Sequence, residues 1–387
     1  GGTLATHLIV KLLRDLNKFK ITVLTGTDNP ETIESVSYIK DPLLKRIDMF
    51  YVLPILLKLR YGWLLAEHDI LYLVFAYPFI PVAKMLGKRV IVHLHDYGPI
   101  SPCNAILAEP IATEWNLVKQ CIHIKFKSGD LAWIIGKILY HIIRVILIRN
   151  WLTRSDAIIT VSKKHARIIT KYIPHLAKKI RIVHNPYHYL LGNVSLDSPK
   201  HPLIIYVGGD SYIKGFPIII KLMKHISTCC PNVSIVLTGS YREEVIKMLY
   251  KLCERYNIKL EVLGRISHEH ILKLYNIALA LLFPSITEEP SPYAVIEAGL
   301  SGAIPIAFKV GGVEEILGDT IAKRFTIELL NINDMLRTIE EVIRLNDSER
   351  IRIAQDISIK LRSMFDIEKI KISLMKLFRE VIFNEQS

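Results

Sequence analysis

The chain has 387 residues, half of them hydrophobic, which at about 100–200 residues per domain is enough for two domains with sizeable cores. Lys and Arg number 50 against 37 Asp and Glu, a net charge of +13, so anionic partners are expected: a phosphorylated small molecule, an acidic membrane surface or nucleic acid. The five cysteines (103, 121, 229, 230 and 253) form no CxxC pair and no regular spacing, which argues against a disulfide framework or a zinc site and fits a reducing compartment.

The chain opens at Gly1-Gly2 with no Met, no secretory signal and no strand before it, and the expectation is that the natural N-terminus lies upstream or was processed. Short β-branched runs at 20–26, 69–77, 89–97, 156–162 and 179–185 then predict strands. Segments 3–17, 49–64, 78–87, 131–153 and 163–175 between them predict helices. Near-continuous apolar strands separated by helices predict a parallel sheet covered on both faces. In "LAWIIGKILYHIIRVILIRNWL", 131–152, Lys137, His141, Arg144 and Arg149 break the apolar run, leaving a thin polar stripe on a greasy helix. A buried domain helix is the plain reading; membrane-surface contact is its alternative. Lys163, Lys164 and Arg167 read as a solvated helix face rather than a basic site.

Polar "NPYHYLLGNVSLDSPKHP" predicts a linker, and the alternation then restarts. Strands are predicted at 202–209, 233–240, 259–265, 279–285 and 304–312, with helices at 214–229, 241–256, 267–277, 292–301 and 313–317. The tail 334–387 reads as helix throughout. The domains are therefore 1–185, a linker at 186–201, 202–362, and a terminal helix at 363–387. A second doubly wound unit binds ligands outside the carboxyl ends of its strands.

The stretch "TEEPSPYAVIEAGLSGAIPIAFKVGGVEEIL" lies at such an end. Ser291 reads as an N-cap and Pro292 as the first helical residue. Glu289 then falls in the loop after the strand, and Glu297 about a turn and a half into the helix. Gly302 ends that helix. Gly311-Gly312 closes the next strand, and its backbone N–H groups are expected to be free for an anion. A carboxylate suits vicinal hydroxyls, as on a ribose, and free N–H groups suit phosphates. Isolated, the two acids would be solvated surface groups; embedded in one strand–loop–helix–strand unit, they describe a site for a sugar nucleotide.

These residues resemble the E-x7-E region of the retaining, GT-B-fold glycosyltransferases of family 4: E-P-x-x-x-x-V-I-E-A, then G-x-I-P-I-A, then G-G-V-E-E-I-L. "GGTLATHLIVKLLRDLNKFKITVLTG", "SDAIITVSKKHARII" and "VLGRISHEHILKLYNIALALLFPS" extend the resemblance over most of the chain. It implies an α/β GT-B fold, two Rossmann-like doubly wound domains facing across a cleft, with the last helix crossing back to the N-terminal domain. It implies that Glu297 holds the donor ribose and that Glu289 lies near the transferred sugar. Lys214, in "VGGDSYIKG", would neutralise the donor diphosphate, with Arg265 contributing. His95, in "HLHD", would contact the sugar or the reacting oxygen; the adjacent Asp96 reads as its partner or as a base. Gly1, Gly2 and Gly209 would approach the donor.

The sequence departs from the family at two points. Gly209 stands where Arg is common, and Ser291-Pro292 where Phe-Gly is common, so one backbone N–H toward the donor is lost. No D-x-D occurs, so a metal-independent hexosyltransferase without cofactor is implied, with protein cations on the diphosphate. The implied partners are a nucleotide-sugar donor and a glycan, lipid-linked or small-molecule acceptor. The greasy, basic segments 48–65 and 131–152 add the cytoplasmic membrane face as a candidate surface. The alternatives are a non-catalytic glycosyltransferase-like scaffold subunit, which the altered loop residues permit, and a GT-B-fold nucleotide-sugar epimerase. A nicotinamide dehydrogenase lacks its G-x-G-x-x-G, and nucleic-acid binding has only net charge behind it.

Overall fold

Residues 2–51, 53–108, 131–187, 196 and 199–383 are described by this computed structural model. The chain divides into two compact units: Gly1–Ala105, Thr113–Leu190 and Phe365–Ser387 in the first, Ile106–Ala112 and Leu191–Met364 in the second.

Unit 1 opens with α1 (Gly2–Asp15), then β1 (Thr22–Thr25) and β2 (Ser37–Lys40), which pair in parallel. After a 3-10 segment (Pro42–Tyr51) come α2 (Ile55–Ala66), β3 (Ile70–Val74), α3 (Phe79–Met85), β4 (Arg89–Leu94), α4 (Leu131–Leu152), β5 (Ala157–Thr160), α5 (Lys163–Tyr172) and β6 (Ile180–Ile182). The strands β3 to β6 form a four-stranded parallel sheet in that order. All of β5 is buried, as a strand covered on both faces must be. Asp156 pins its start: the carboxylate accepts the Val90 N–H at 2.6 Å and pairs with Lys84. Ser162 caps α5 by accepting the His165 N–H at 3.2 Å.

The helix expected at 49–64 breaks in two. Pro54 cannot continue the preceding 3-10 segment as a hydrogen-bond donor, so α2 starts after it. The strand β2 had no clear signal, being four half-exposed residues after a polar loop.

Unit 2 runs β7 (His201–Val207), α6 (Phe216–Cys229), β8 (Ser234–Thr238), α7 (Glu243–Tyr256), β9 (Leu260–Gly264), α8 (His268–Ile277), β10 (Ala278–Phe283), α9 (Tyr293–Leu300), β11 (Ile304–Phe308), α10 (Val313–Leu317), β12 (Thr326–Ile327), α11 (Ile332–Arg344) and α12 (Asp347–Met364). Its six-stranded sheet has the order β12-β11-β10-β7-β8-β9, parallel throughout. From β7 the chain winds one way through β8 and β9, then returns to β10 and winds the other way. The carboxyl ends of β7 and β10 therefore flank the topological switch point, where a doubly wound sheet binds ligands.

The last helix, α13 (Ile367–Phe383), belongs to unit 1. Ile370, Leu374, Leu377, Phe378 and Val381 recur at helical spacing and bury against Ile9, Leu12, Ile91 and Ile159. Each is worth about 1.5–3 kcal/mol of apolar burial. Arg181 adds a hydrogen bond to Glu380 at 3.1 Å.

Candidate active site

In unit 2 the site grows from two loops at the switch point. After β7 the chain makes a 3-10 turn, Tyr212–Lys214, and enters α6 through Gly215. Gly215 has φ +81°, and a Cβ there would fall 1.9 Å from the Pro284 carbonyl oxygen. Only glycine fits both the left-handed backbone and the close approach. The Ile286 N–H donates to the Ile213 carbonyl at 3.0 Å, which ties the loop after β10 to the loop after β7. Ile106–Ala108 brace the same loop, although they lie inside the range 1–185. The Ala108 N–H donates to Ile286 O at 2.8 Å, and the Glu288 N–H to Ile106 O at 2.8 Å.

Held this way, one carboxylate oxygen of Glu289 gathers three polar groups. The Lys214 ammonium pairs with it, Thr287 Oγ1 donates to it at 3.2 Å, and Ser285 Oγ lies 3.1 Å away. Glu297 sits on the second turn of α9, 8% exposed, and its Oε1 is 2.8 Å from Nε2 of His268, the first residue of α8. The hydrogen bond to Glu297 raises the His268 pKa, against the opposing effect of burial.

Two expectations need correction. Ser291 does not cap α9: the N-cap position falls on Pro292, at φ −74° and ψ 95°, whose side chain has no acceptor to offer the first N–H groups. The N–H groups of Gly311 and Gly312 are not free. Gly311 donates to the Glu288 carboxylate and Gly312 to the Glu289 carbonyl at 2.8 Å. Gly311 has φ +50° and a Cβ there would meet the Glu289 oxygen at 1.9 Å, so these glycines allow two loops to lock together. Arg265, after β9, is two strands from β7 in the sheet order and donates from Nε to Ser240 Oγ at 2.5 Å.

Gly209 explains one departure from the family pattern. It has φ +59° and a Cβ would fall 2.5 Å from Ser240 O, so an Arg cannot occupy this backbone. The Gly209 N–H instead donates to Thr238 O at 3.1 Å, and Gly239 N–H to Gly264 O at 2.7 Å, stitching together the loops after β7, β8 and β9.

In unit 1, His95 follows β4. Its ring centroid lies 4.0 Å from that of His93 and 6.0 Å from Phe75. Phe75 follows the adjacent strand β3 with φ +59°, a left-handed conformation that costs a non-glycine residue about 1–3 kcal/mol. Burial pushes the His95 pKa down to about 3 and that of His165 to about 4, so both imidazoles are neutral at neutral pH. His165 Nε2 lies 3.1 Å from the Asp96 carbonyl, while the Asp96 carboxylate accepts the Gly98 N–H at 2.9 Å. His93 Nδ1 is 2.7 Å from Tyr72 Oη. Among the described residues, Nε2 of His93, Nε2 of His95 and Nδ1 of His165 are buried with no hydrogen-bond partner. Gly2 opens α1, and Gly1 lies outside the described residues.

His268, Ser285, Thr287, His93 and His165 escaped the sequence reading. Thr287 opens the very stretch that carries Glu289 and Ser285 lies two residues before it, and Ser267-His268 reads as a helix start one residue after "LGR"; none has a spacing that announces a role.

The geometry is that of a doubly wound pair with polar groups converging at a switch point, and comparison with known proteins gives the class. Residues 1–188 match the family model described as Glycosyltransferase Family 4, and residues 193–356 match Glycosyl transferases group 1. The chain belongs to this glycosyltransferase family, and its fold is GT-B. It is 26% identical over 144 residues to a phosphatidylinositol N-acetylglucosaminyltransferase component of Arabidopsis thaliana, covering 37% of this chain and 31% of that protein. It is 24% identical over 160 residues to the lipopolysaccharide 1,2-N-acetylglucosaminetransferase of Salmonella typhimurium, covering 40% of this chain and 42% of that protein. The matched segments thus span less than half of these curated relatives. The structure of Anabaena HepE in complex with UDP and glucose superposes with a TM-score of 0.68 at 16% identity, covering 98% of this chain and 96% of that one.

Proposed function

We propose that the protein is a retaining, metal-independent glycosyltransferase that moves a sugar from a uridine diphosphate donor to a lipid-linked or glycan acceptor. The observation that carries this reading is the cluster at the end of β10: Lys214 held by Glu289 beside Ser285 and Thr287, with Glu297 on the helix that follows. Glu297, held by His268, receives the ribose hydroxyls. Lys214 exchanges Glu289 for the donor diphosphate, and its charge offsets the negative charge that grows on the leaving group. Arg265 reaches the diphosphate from the loop after β9. Glu289, released from the lysine, holds hydroxyls of the transferred sugar. The acceptor hydroxyl attacks the anomeric carbon on the face the diphosphate leaves. The C–O bond to phosphate breaks as the new glycosidic bond forms, and the acceptor proton passes to the departing phosphate oxygen. In unit 1, His95 presents a neutral imidazole nitrogen to a sugar or acceptor hydroxyl.

The curated relatives' names favour N-acetylglucosamine as the first sugar to try, and the HepE structure favours uridine diphosphate as the carrier. No helix among the described residues is long and apolar enough to cross a membrane. A lipid-linked acceptor is favoured by an apolar surface on unit 1: Met49, Leu59 and Trp63 are 61%, 77% and 61% exposed on the segment from Met49 to Trp63. Leu139, Ile143 and Ile146 are exposed on α4, which Tyr140 ties to Asp48 O at 2.9 Å. Lys58 and Arg60 lie in the first of these segments and Lys45 and Arg46 just before it, with Lys45 paired to Asp28 and Arg60 to Asp41, and this basic edge favours the anionic cytoplasmic face of a membrane.

The test is nucleoside-diphosphate release from a panel of UDP-, GDP- and ADP-sugars, with membrane lipid extract and a sugar panel as acceptors. Acceptor-dependent UDP release that Lys214→Ala and Glu297→Ala both abolish is the expected result. Donor binding without turnover under every acceptor would favour a scaffold, and conversion of the donor sugar without acceptor an epimerase.

A further inference from the structure

The C-terminal end of α6 carries a group of side chains that the transferase chemistry does not use. His225 and Cys229 stand four apart on α6, one helical turn, and so share a face. Glu340, on α11, meets them. The ligand atoms of these three residues all lie within 4.8 Å of one another, and His225 Nε2 is 2.8 Å from Glu340 Oε1. Arg344 holds the other carboxylate oxygen at 3.1 Å, which fixes the direction of Oε1. Cys230 adds a second sulfur 3.3 Å from that of Cys229. All are partly exposed, so an ion in solution can reach them.

We propose that His225, Cys229 and Glu340 bind one zinc-class divalent cation, which staples α6 to α11. One imidazole nitrogen, one thiolate and one carboxylate form the mixed donor set that this borderline cation accepts, at about 2.0–2.3 Å in a tetrahedral arrangement. The present spacing needs only a small inward shift of side chains on two helices to reach that shell. The fourth position falls to water. On binding, the Cys229 Sγ–H bond gives up its proton to solvent, and the Nε2–H that His225 donates to Glu340 is lost to solvent as the neutral ring takes its one proton at Nδ1; Nε2, Sγ and Oε1 then bond to the ion. There is no change of oxidation state.

The position argues for a structural or regulatory ion rather than a catalytic one. Lys214 precedes the N-terminal end of α6, and His225 lies about ten residues further along that helix, roughly 15 Å at 1.5 Å per residue. The cysteine pattern gave no hint of the site because its ligands come from two helices far apart in sequence and only one is a cysteine of the set.

The experiment is a cobalt(II) titration of the full chain in a non-chelating buffer with a phosphine reductant, followed by displacement with zinc. The expected result is one cobalt per chain, a thiolate-to-cobalt charge-transfer band and tetrahedral visible bands, all lost on adding one equivalent of zinc. Cys229→Ser should remove the charge-transfer band. His225→Gln and Glu340→Gln should each weaken binding at least ~10-fold. Cys230→Ser should leave the band in place. Failure of the wild-type chain to take up one cobalt at micromolar concentration overturns the proposal without any variant, and so does a band that survives Cys229→Ser. Since the readout is spectroscopic, its outcome is independent of whether the chain transfers sugar.

Discussion

The two units solve the placing of polar groups in opposite ways. In unit 2 the groups at the switch point neutralise one another: Lys214 with Glu289, His268 with Glu297, the Gly311 N–H with Glu288. In unit 1 the groups at the carboxyl end of β4 are neutral, buried and short of partners: His93, His95 and His165 each keep a buried ring nitrogen without a hydrogen bond among the described residues. A site of paired charges can exchange one partner for a ligand of the same sign at small cost. A site of unpaired neutral nitrogens favours a neutral hydroxyl that gives it the missing hydrogen bond. The contrast suits a charged diphosphate on one unit and uncharged sugar hydroxyls on the other.

The most direct way to break this comparison is to remove the lysine. Lys214→Ala should lower kcat by ~10²–10³, the scale for losing a donor aimed at developing charge. It should also leave Glu289 an uncompensated, mostly buried acid. Glu289→Gln separates the two effects: it frees the lysine, so donor binding should persist while turnover falls. If both variants lost donor binding equally and kept kcat, Lys214 would be a ground-state anchor only. Gly311→Ala tests the locking of the loops. The substitution forces a left-handed alanine against the Glu289 carbonyl, and should cost about 3 kcal/mol or more in stability along with activity. A denaturant melt checks it.

How far the sequence reaches can be judged residue by residue. Apart from β2 and the two-residue β12, the strands of both units were legible because a parallel sheet covered on both faces writes itself as unbroken apolar runs, as in "ALALLF" of β10 and "AIIT" of β5. The strand β2 was not, because half-exposed residues at a sheet edge carry no such run. Glu289, Glu297 and Lys214 could be picked from motif and position, and the structure brings Lys214 and Glu289 into an ion pair. Their partners could not. His268 and Glu297 meet only through the packing of α8 against α9, and no local pattern records that contact. The Gly311-Gly312 amides looked like an anion site because glycines before a helix often are one. That Glu288 and Glu289 reach back to occupy them depends on the path of a loop, which sequence periodicity does not encode.

Two smaller effects sharpen the contrast. Glu297→Ala should weaken donor binding ~10–100-fold, the value of a hydrogen bond to a charged group, with less effect on kcat than Lys214→Ala. Calorimetry with the nucleotide alone reads this without an acceptor. His95→Asn should do the reverse, lowering kcat about tenfold while the affinity for free nucleotide is unchanged. A shift in nucleotide affinity of similar size would place the imidazole with the donor instead.

The smallest effect separates the units by the sign of a titration. His268 has a raised pKa in the folded state, so its bond to Glu297 stabilises below the ordinary pKa of about 6.5 and fades as the pH rises through the folded value. His95 and His165 are held near 3 and 4, and His93 well below its ordinary value, by burial. Below pH ~6.5 the unfolded chain takes up protons on these three imidazoles that the folded unit refuses, so stability must fall as the pH drops from about 6.5 toward the folded values. His268 is about a third exposed at its side chain, and solvent screens its contribution, so the unit 1 histidines should dominate the whole-chain profile. Urea midpoints measured between pH 5 and 8 should decline on the acid side, and His165→Asn should flatten that decline, whereas His268→Asn should steepen it. A midpoint unchanged across this range would mean that the three imidazoles take up protons without unfolding, and that unit 1 is open to water where the fold has it closed.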